Sequence, residues 1–97
     1  MKKIYKYEMP TGGGSTLMLP KGSKPLSVGL DPRGTICMWA IVDTTIGLPR
    51  IKYDFAAIGT GWPLEELSID LEKYTFLGTV NDGLTYMWHY FYRVLEG

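Results

Sequence analysis

The stretch AAIGTGWPLEE, residues 56–66, holds the densest set of groups that could do chemistry. Gly59 and Gly61 flank Thr60, and Trp62 follows. Glycines ahead of a helix start leave backbone N–H groups unpaired, and such groups attract anions. The string is not a dinucleotide fingerprint, because Leu64 stands where G-x-G-x-x-G needs a small residue and no βαβ pattern surrounds it. It is not a P-loop, because no Gly-Lys-Ser/Thr follows. Glu65 and Glu66 fall in the first turn of the expected helix, where they satisfy the dipole and repel a phosphate. A strand-ending turn capped by Thr60 is therefore the plainer reading. Trp62 keeps a ligand reading open, since stacking an aromatic ring on a base contributes about 1–3 kcal/mol.

His89 is the only histidine and Cys37 the only cysteine. A metal site needs three or four ligands, so no metal is expected. A Cys37–His89 nucleophile pair meets the objection that Cys37 lies in an apolar strand, where a thiol stays protonated and inert. Glu65, Glu66 and Asp70 supply carboxylates, but nothing around them in the sequence raises a pKa toward general-acid work. No G-x-S-x-G or comparable hydrolase pattern occurs. The chain is read as a non-enzyme without a cofactor. The most unusual chemical feature is the face formed by Tyr86, Trp88, Tyr90 and Tyr92, with period two. A chain of 97 residues cannot easily bury four such rings. The surplus suits a subunit interface, or a pocket in which a ring stacks on a flat ligand while Arg50 or Arg93 meets a phosphate.

These groups must be positioned by short strands. Gly, Pro and Asp punctuate the chain, and seven strands are predicted at 2–8, 16–19, 26–30, 35–43, 50–58, 73–80 and 84–95. Asp31-Pro32-Arg33-Gly34 has the order of a type I turn, and Asn81-Asp82-Gly83 that of a hairpin turn. Strand 35–43 is apolar on both faces, which predicts cover on both sides. Strand 50–58 separates Ile51, Tyr53, Phe55 and Ala57 from Lys52, Asp54 and Ala56, which predicts one wet side. Leu64, Leu67 and Leu71 behind Pro63 predict one short helix over 63–71, with 68–70 equally readable as irregular. Gly78 predicts a bulge or a close backbone approach. The expected fold is all-β: an antiparallel meander of about seven strands folded into a small sandwich or barrel, one domain over 1–97.

Ten Lys and Arg balance ten Asp and Glu, which argues against DNA or RNA as a partner. The charge is uneven: six of the ten basic residues lie by Arg33 and eight of the ten acidic ones beyond Ile36. That asymmetry allows opposite patches of two copies to meet. A lone cysteine fits a reducing cytoplasm. The start MKKIYKYEMP has no apolar run behind it, and the longest apolar run, 36–42, is far short of a membrane span.

In order and spacing, KIYKY, LPKGSKPLSVGL, CMWAIVD, AIGTGWP, FLGTV and MWHYF resemble a family of small proteins of unknown function found in phages and prophage-bearing bacteria. The resemblance covers nearly the whole chain and departs from the family in PTGGGST, TTIGLP and SIDLEKY. It implies an all-β protein in a phage setting, at work in the host cytoplasm. Proteins of this kind act by binding. The expectation is a homo-oligomeric sponge for a nucleotide-derived signal of host immunity. Its ligand site would combine Gly59, Thr60, Gly61 and Trp62 with Arg50, Trp88 and His89. An inhibitor that contacts a host defence protein, or a structural phage component, is the alternative.

Overall fold

The computed structural model describes residues 1–95, so residues 96 and 97 of the expected domain lie outside the described residues. Seven strands form: β1 (Lys2–Glu8), β2 (Gly13–Pro20), β3 (Lys24–Leu30), β4 (Ile36–Asp43), β5 (Arg50–Gly59), β6 (Thr75–Asn81) and β7 (Met87–Leu95). They build two antiparallel sheets, in the orders β1-β4-β3 and β2-β5-β7-β6. The all-β, antiparallel expectation holds, in the form of a sandwich and not a closed barrel. Consecutive strands pair only at β3–β4 and β6–β7. Elsewhere the chain crosses between the sheets or, from β5 to β6, skips the position taken by β7.

The core lies between the inner faces. Met38, Ala40 and Val42 of β4 face Tyr53, Phe55 and Ala57 of β5 and Trp88 and Tyr90 of β7, with Leu19, Met9 and Val80 around them. Two buried phenols keep hydrogen bonds: the Tyr53 hydroxyl donates to the Ser23 carbonyl at 2.6 Å and the Tyr90 hydroxyl to the Pro10 carbonyl at 2.8 Å. Such partners offset the cost of burying polar atoms. On the outer face of β4 the expectation of full cover fails. Cys37 is buried, but Trp39 and Ile41 are only half-buried, because no third layer lies over the three-stranded sheet among the described residues. The opposite happens on β5, where Ala56 and Ile58 on the supposedly wet side are buried. The 60–74 segment accounts for this. It lies over the outer face of the four-stranded sheet, with Ile69 against Gly14 and Tyr74 against Arg93.

That segment is not the expected helix. It makes two 3-10 turns, Leu64–Glu66 and Leu71–Lys73, and between them Leu67 is extended at φ −77°, ψ 144°. Asp70 starts the second turn by accepting from the Glu72 N–H at 3.2 Å. Ile69, between the two turns, lies against Gly14 of the sheet. Packing on the sheet therefore overrides the leucine spacing.

Both turn expectations hold locally. The Gly34 N–H donates to the Asp31 carbonyl at 2.9 Å, and Gly34 takes the φ of +81° that other residues rarely adopt. The Asp31 side chain does more than the turn requires. It accepts from the Arg33 and Thr35 N–H groups and from the Lys6 ammonium, each at 2.9 Å, and so ties β1 to the β3–β4 hairpin. These partners, the Thr35 N–H foremost, hold its carboxyl down at about 2. A depressed carboxylate stabilises the fold above its ordinary value near 3.8 and loses that contribution as pH falls toward about 2. Asp31→Asn should therefore lower the melting temperature at neutral pH and flatten its fall in that acid window. Thermal circular dichroism at several pH values checks both. At the other hairpin, Asn81 and Asp82 accept from the N–H groups of Gly83 and Leu84. The wider loop starts β7 at Met87 and not at residue 84, which leaves Leu84 and Tyr86 exposed.

Candidate functional site

Two clefts divide the residues singled out above. The first, of about 310 Å³, lies on the outer face of the four-stranded sheet and is lined by Gly59, Thr60, Gly61, Trp62, His89 and Phe91, with Leu64 and Leu71 on the rim. Five of the seven expected ligand residues meet there. β5 ends at Gly59, and the chain reverses through a turn closed by the Trp62 N–H on the Gly59 carbonyl, with Gly61 at φ +87°. Trp62 folds back over Gly59. A Cβ on Gly59 would stand 2.6 Å from the indole Nε1. The indole meets Trp88 edge-on, ring centres 5.5 Å apart at 89°. Gly59 is thus a seat for a side chain, and Trp62 is held by the protein's own ring.

Thr60 does not cap the following turn, which has no side-chain cap bond. Its hydroxyl bonds His89 Nε2 at 2.7 Å, and the Thr79 hydroxyl bonds His89 Nδ1 at 2.9 Å. The register makes Thr79 the cross-strand partner of His89. Hydroxyls donate or accept, so they satisfy either tautomer and fix the ring plane. Thr79 was not among the expected residues; only the pairing of β6 with β7 brings it in. Among the described residues no carboxylate orients this imidazole, and Cys37, the other half of a nucleophile pair, sits in the opposite sheet with its thiol pushed up by burial. The cleft is apolar and carries no cation among its lining residues.

Two expected residues do not belong to this cleft. Trp88 is buried on the inner face at 7% exposure, its indole N–H directed at Asp82. Arg50 opens β5 while Gly59 closes it nine residues later, a span of about 30 Å for an extended strand. The expected single site therefore comes apart. Arg93, the other cation considered, is engaged by Asp54 at 3.3 Å and lies over the Tyr74 ring at 4.9 Å.

Arg50 instead borders the second cleft, of about 320 Å³, at the far end of the sandwich. Its walls are Tyr5 and Tyr7 of β1, Pro20, Asp43 and the 44–48 loop. The guanidinium makes a 3.2 Å bond to the Met18 carbonyl through Nη1 and has no carboxylate partner among the described residues. Burial pushes the Tyr7 phenol up while the Arg50 charge pulls it back, which places the two groups in each other's field. Asp43 is already engaged: it accepts from the Thr45 hydroxyl and N–H and from the amino terminus. The tyrosines were visible as alternate residues of a strand; their meeting with Arg50 depends on how β1 lies over β5, which no local pattern encodes. Charge and chemistry differ between the clefts: one is an apolar aromatic pocket, the other sets two phenols beside a guanidinium that has no carboxylate partner among the described residues.

No group of three or more His, Cys, Asp or Glu that could hold a metal occurs among the described residues, and no helix is long and apolar enough to cross a membrane. No curated protein and no solved structure matches the chain. A family model described as a domain of unknown function, DUF7352, matches residues 1–96, and the chain belongs to that family.

Proposed function

We propose that this chain is a non-enzymatic binding protein that captures a nucleotide-like anion in the Tyr5–Tyr7–Arg50 cleft, as a homo-oligomer in the cytoplasm of a phage-infected host. The observation that carries this reading is Arg50: a guanidinium without a carboxylate partner among the described residues, on a cleft walled by two tyrosines. Guanidinium groups grip phosphate through paired N–H donors, and aromatic rings stack on a base. The cleft falls at the small end of the range for ligand pockets, a size suited to one nucleotide unit. The resemblance to phage and prophage proteins supplies the setting, in which the ligand is a nucleotide-derived signal of host immunity and the protein its sponge.

Calorimetry against cyclic dinucleotides, ADP-ribose and mononucleotides tests the reading. Arg50→Ala should weaken the binding found by about 10–100-fold, the loss of a charge-assisted contact. Absence of heat with every ligand at high protein concentration, or an unchanged affinity in the variant, would end it. A second reading is an inhibitor that works by protein contact. Ile4, Ile41 and Trp39 on the uncovered face of the three-stranded sheet favour it. Capture of one host defence protein, with loss of capture in Trp39→Asp, would decide for it.

A further inference from the structure

The sandwich has four edge strands, β1, β3, β2 and β6. Unpaired edges invite pairing with another chain, and proteins blunt them with proline, bulges, glycine or charged side chains, lysine above all. β2 carries Gly13, Gly14 and Pro20. β3 carries Pro25 and Gly29, with a register shift between Pro25 and Ser27. β6 carries Gly78, with a shift between Phe76 and Gly78, and Gly78 abuts Val28 of β3. β1, KKIYKYE, has no proline, glycine or bulge and keeps one register with β4 over seven residues; its guard is charge alone, Lys2, Lys3 and Lys6, which opposes only those registers that set lysine against lysine.

The backbone groups that β1 presents are defined. The Thr44 N–H bonds the Met1 carbonyl and the Met9 N–H bonds the Ile36 carbonyl. In an antiparallel ladder bonded pairs alternate with non-bonded ones. Odd residues of β1 therefore bond β4, and the N–H and C=O groups of Lys2, Ile4, Lys6 and Glu8 point to the open edge. A second copy can bond that edge antiparallel only in registers that set even residues opposite even ones. The register centred on Ile4 puts Lys2 against Lys6, and the one centred on Lys6 puts lysine against itself. The register centred on Tyr5 sets Lys2 against the partner's Glu8 at both ends, Ile4 against the partner's Lys6, and no lysine against a lysine. Opposite charges across strands stabilise a pair and like charges oppose it.

We infer that β1 is the self-association edge of this protein, pairing antiparallel about Tyr5 with β1 of a second copy to join two three-stranded sheets into one of six strands. The inference rests on the ligand reading above in one respect, that the partner completes the cleft. Lys3 shares a face with Tyr5 and Tyr7. In this register the partner's Lys3 stands across from Tyr7, next to the wall shared with Arg50, and adds a second cation for an anionic ligand.

Sedimentation velocity of the full chain without ligand tests the edge. The expected result is a dimer at about 100 µM, a concentration at which even a weak specific edge contact is populated. Ile4→Pro removes only an outward N–H, so it should give a folded monomer with an unchanged circular dichroism spectrum. Glu8→Lys should also dissociate the dimer, and adding Lys2→Glu to it should restore the dimer. A wild-type monomer at that concentration overturns the inference. So does a dimer that survives Ile4→Pro, or a charge swap that fails to restore association. Lys3→Gln should weaken nucleotide binding by about 5-fold in the wild-type background and leave it unchanged in the Ile4→Pro monomer. Because the sedimentation arm contains no ligand, its failure removes this edge alone, whereas failure of the Arg50 reading shows in the calorimetry of either form.

Discussion

Trp88→Ala is expected to lower the free energy of unfolding by about 3–5 kcal/mol, the range for removing a buried large aromatic. Trp88 is 7% exposed and closes one end of the core. It stands across the ladder from Gly59, meets Trp62 edge-on, tilts against Tyr86 at 5.4 Å, and directs its indole N–H at Asp82 Oδ2, 3.4 Å away. Alanine leaves a cavity there, strips Trp62 of its support and removes one of the donors that hold the Asp82 carboxyl below its ordinary value. A small domain has only about 5–15 kcal/mol in total, so this one change consumes a large share. Urea unfolding should show a midpoint shifted down with the slope unchanged. Trp88→Phe, which keeps most of the buried area, should recover more than half of the loss. A loss below about 1 kcal/mol would mean that the ring is dispensable to the core, and the case for Trp88 as a ligand residue would reopen.

The contrast between Trp88 and Arg50 marks what could be read from the residues alone. Strand content was legible because it is local: period-two apolar patterns and turn residues such as Asp31-Pro32 and Asp82-Gly83 act within a few positions. The shared face of Trp88 and Tyr90 was legible for the same reason, but which of the four rings would be surplus was not: the structure leaves Tyr86 outside the core. What stayed hidden depends on register between distant strands. Thr79 meets His89 because the β6–β7 loop spans residues 82–86, so that Asn81 pairs with Met87 and Thr79 with His89, a register wider than a two-residue Asp82-Gly83 turn would set. Tyr7 meets Arg50 because β1 and β5 belong to different sheets that face one another. One part of the site was decidable earlier. Arg50 and Gly59 open and close one strand, and extended backbone keeps such residues far apart. The 63–71 segment misled for another reason. Leucine spacing of three and four reports an apolar stripe, but the segment follows the sheet surface beneath it, where Ile69 lies against Gly14, and that surface is built by strands distant in sequence.

Gly59→Ala separates the two explanations of the GTGW string, and its expected cost is about 2–3 kcal/mol, at the high end for an added methyl in a packed site. Gly59 has no left-handed backbone angle to protect, so conformational strain does not enter. The whole effect comes from the new Cβ, which would lie 2.6 Å from Nε1 and 2.8 Å from Cε2 of Trp62. A rigid ring braced by Trp88 on one side and close to Gly12 on another has little room to retreat. Removing the ring removes the conflict. In a Trp62→Ala background, Gly59→Ala should therefore cost under about 0.5 kcal/mol, and the double-mutant cycle should return a coupling energy of about 2 kcal/mol. An anion-cradle origin for the glycine demands the reverse: a folded Gly59→Ala variant of nearly normal stability that binds its nucleotide poorly. The geometry favours the first outcome, and with it a ligand affinity at the Arg50 cleft, some 30 Å along β5, that Gly59→Ala leaves untouched.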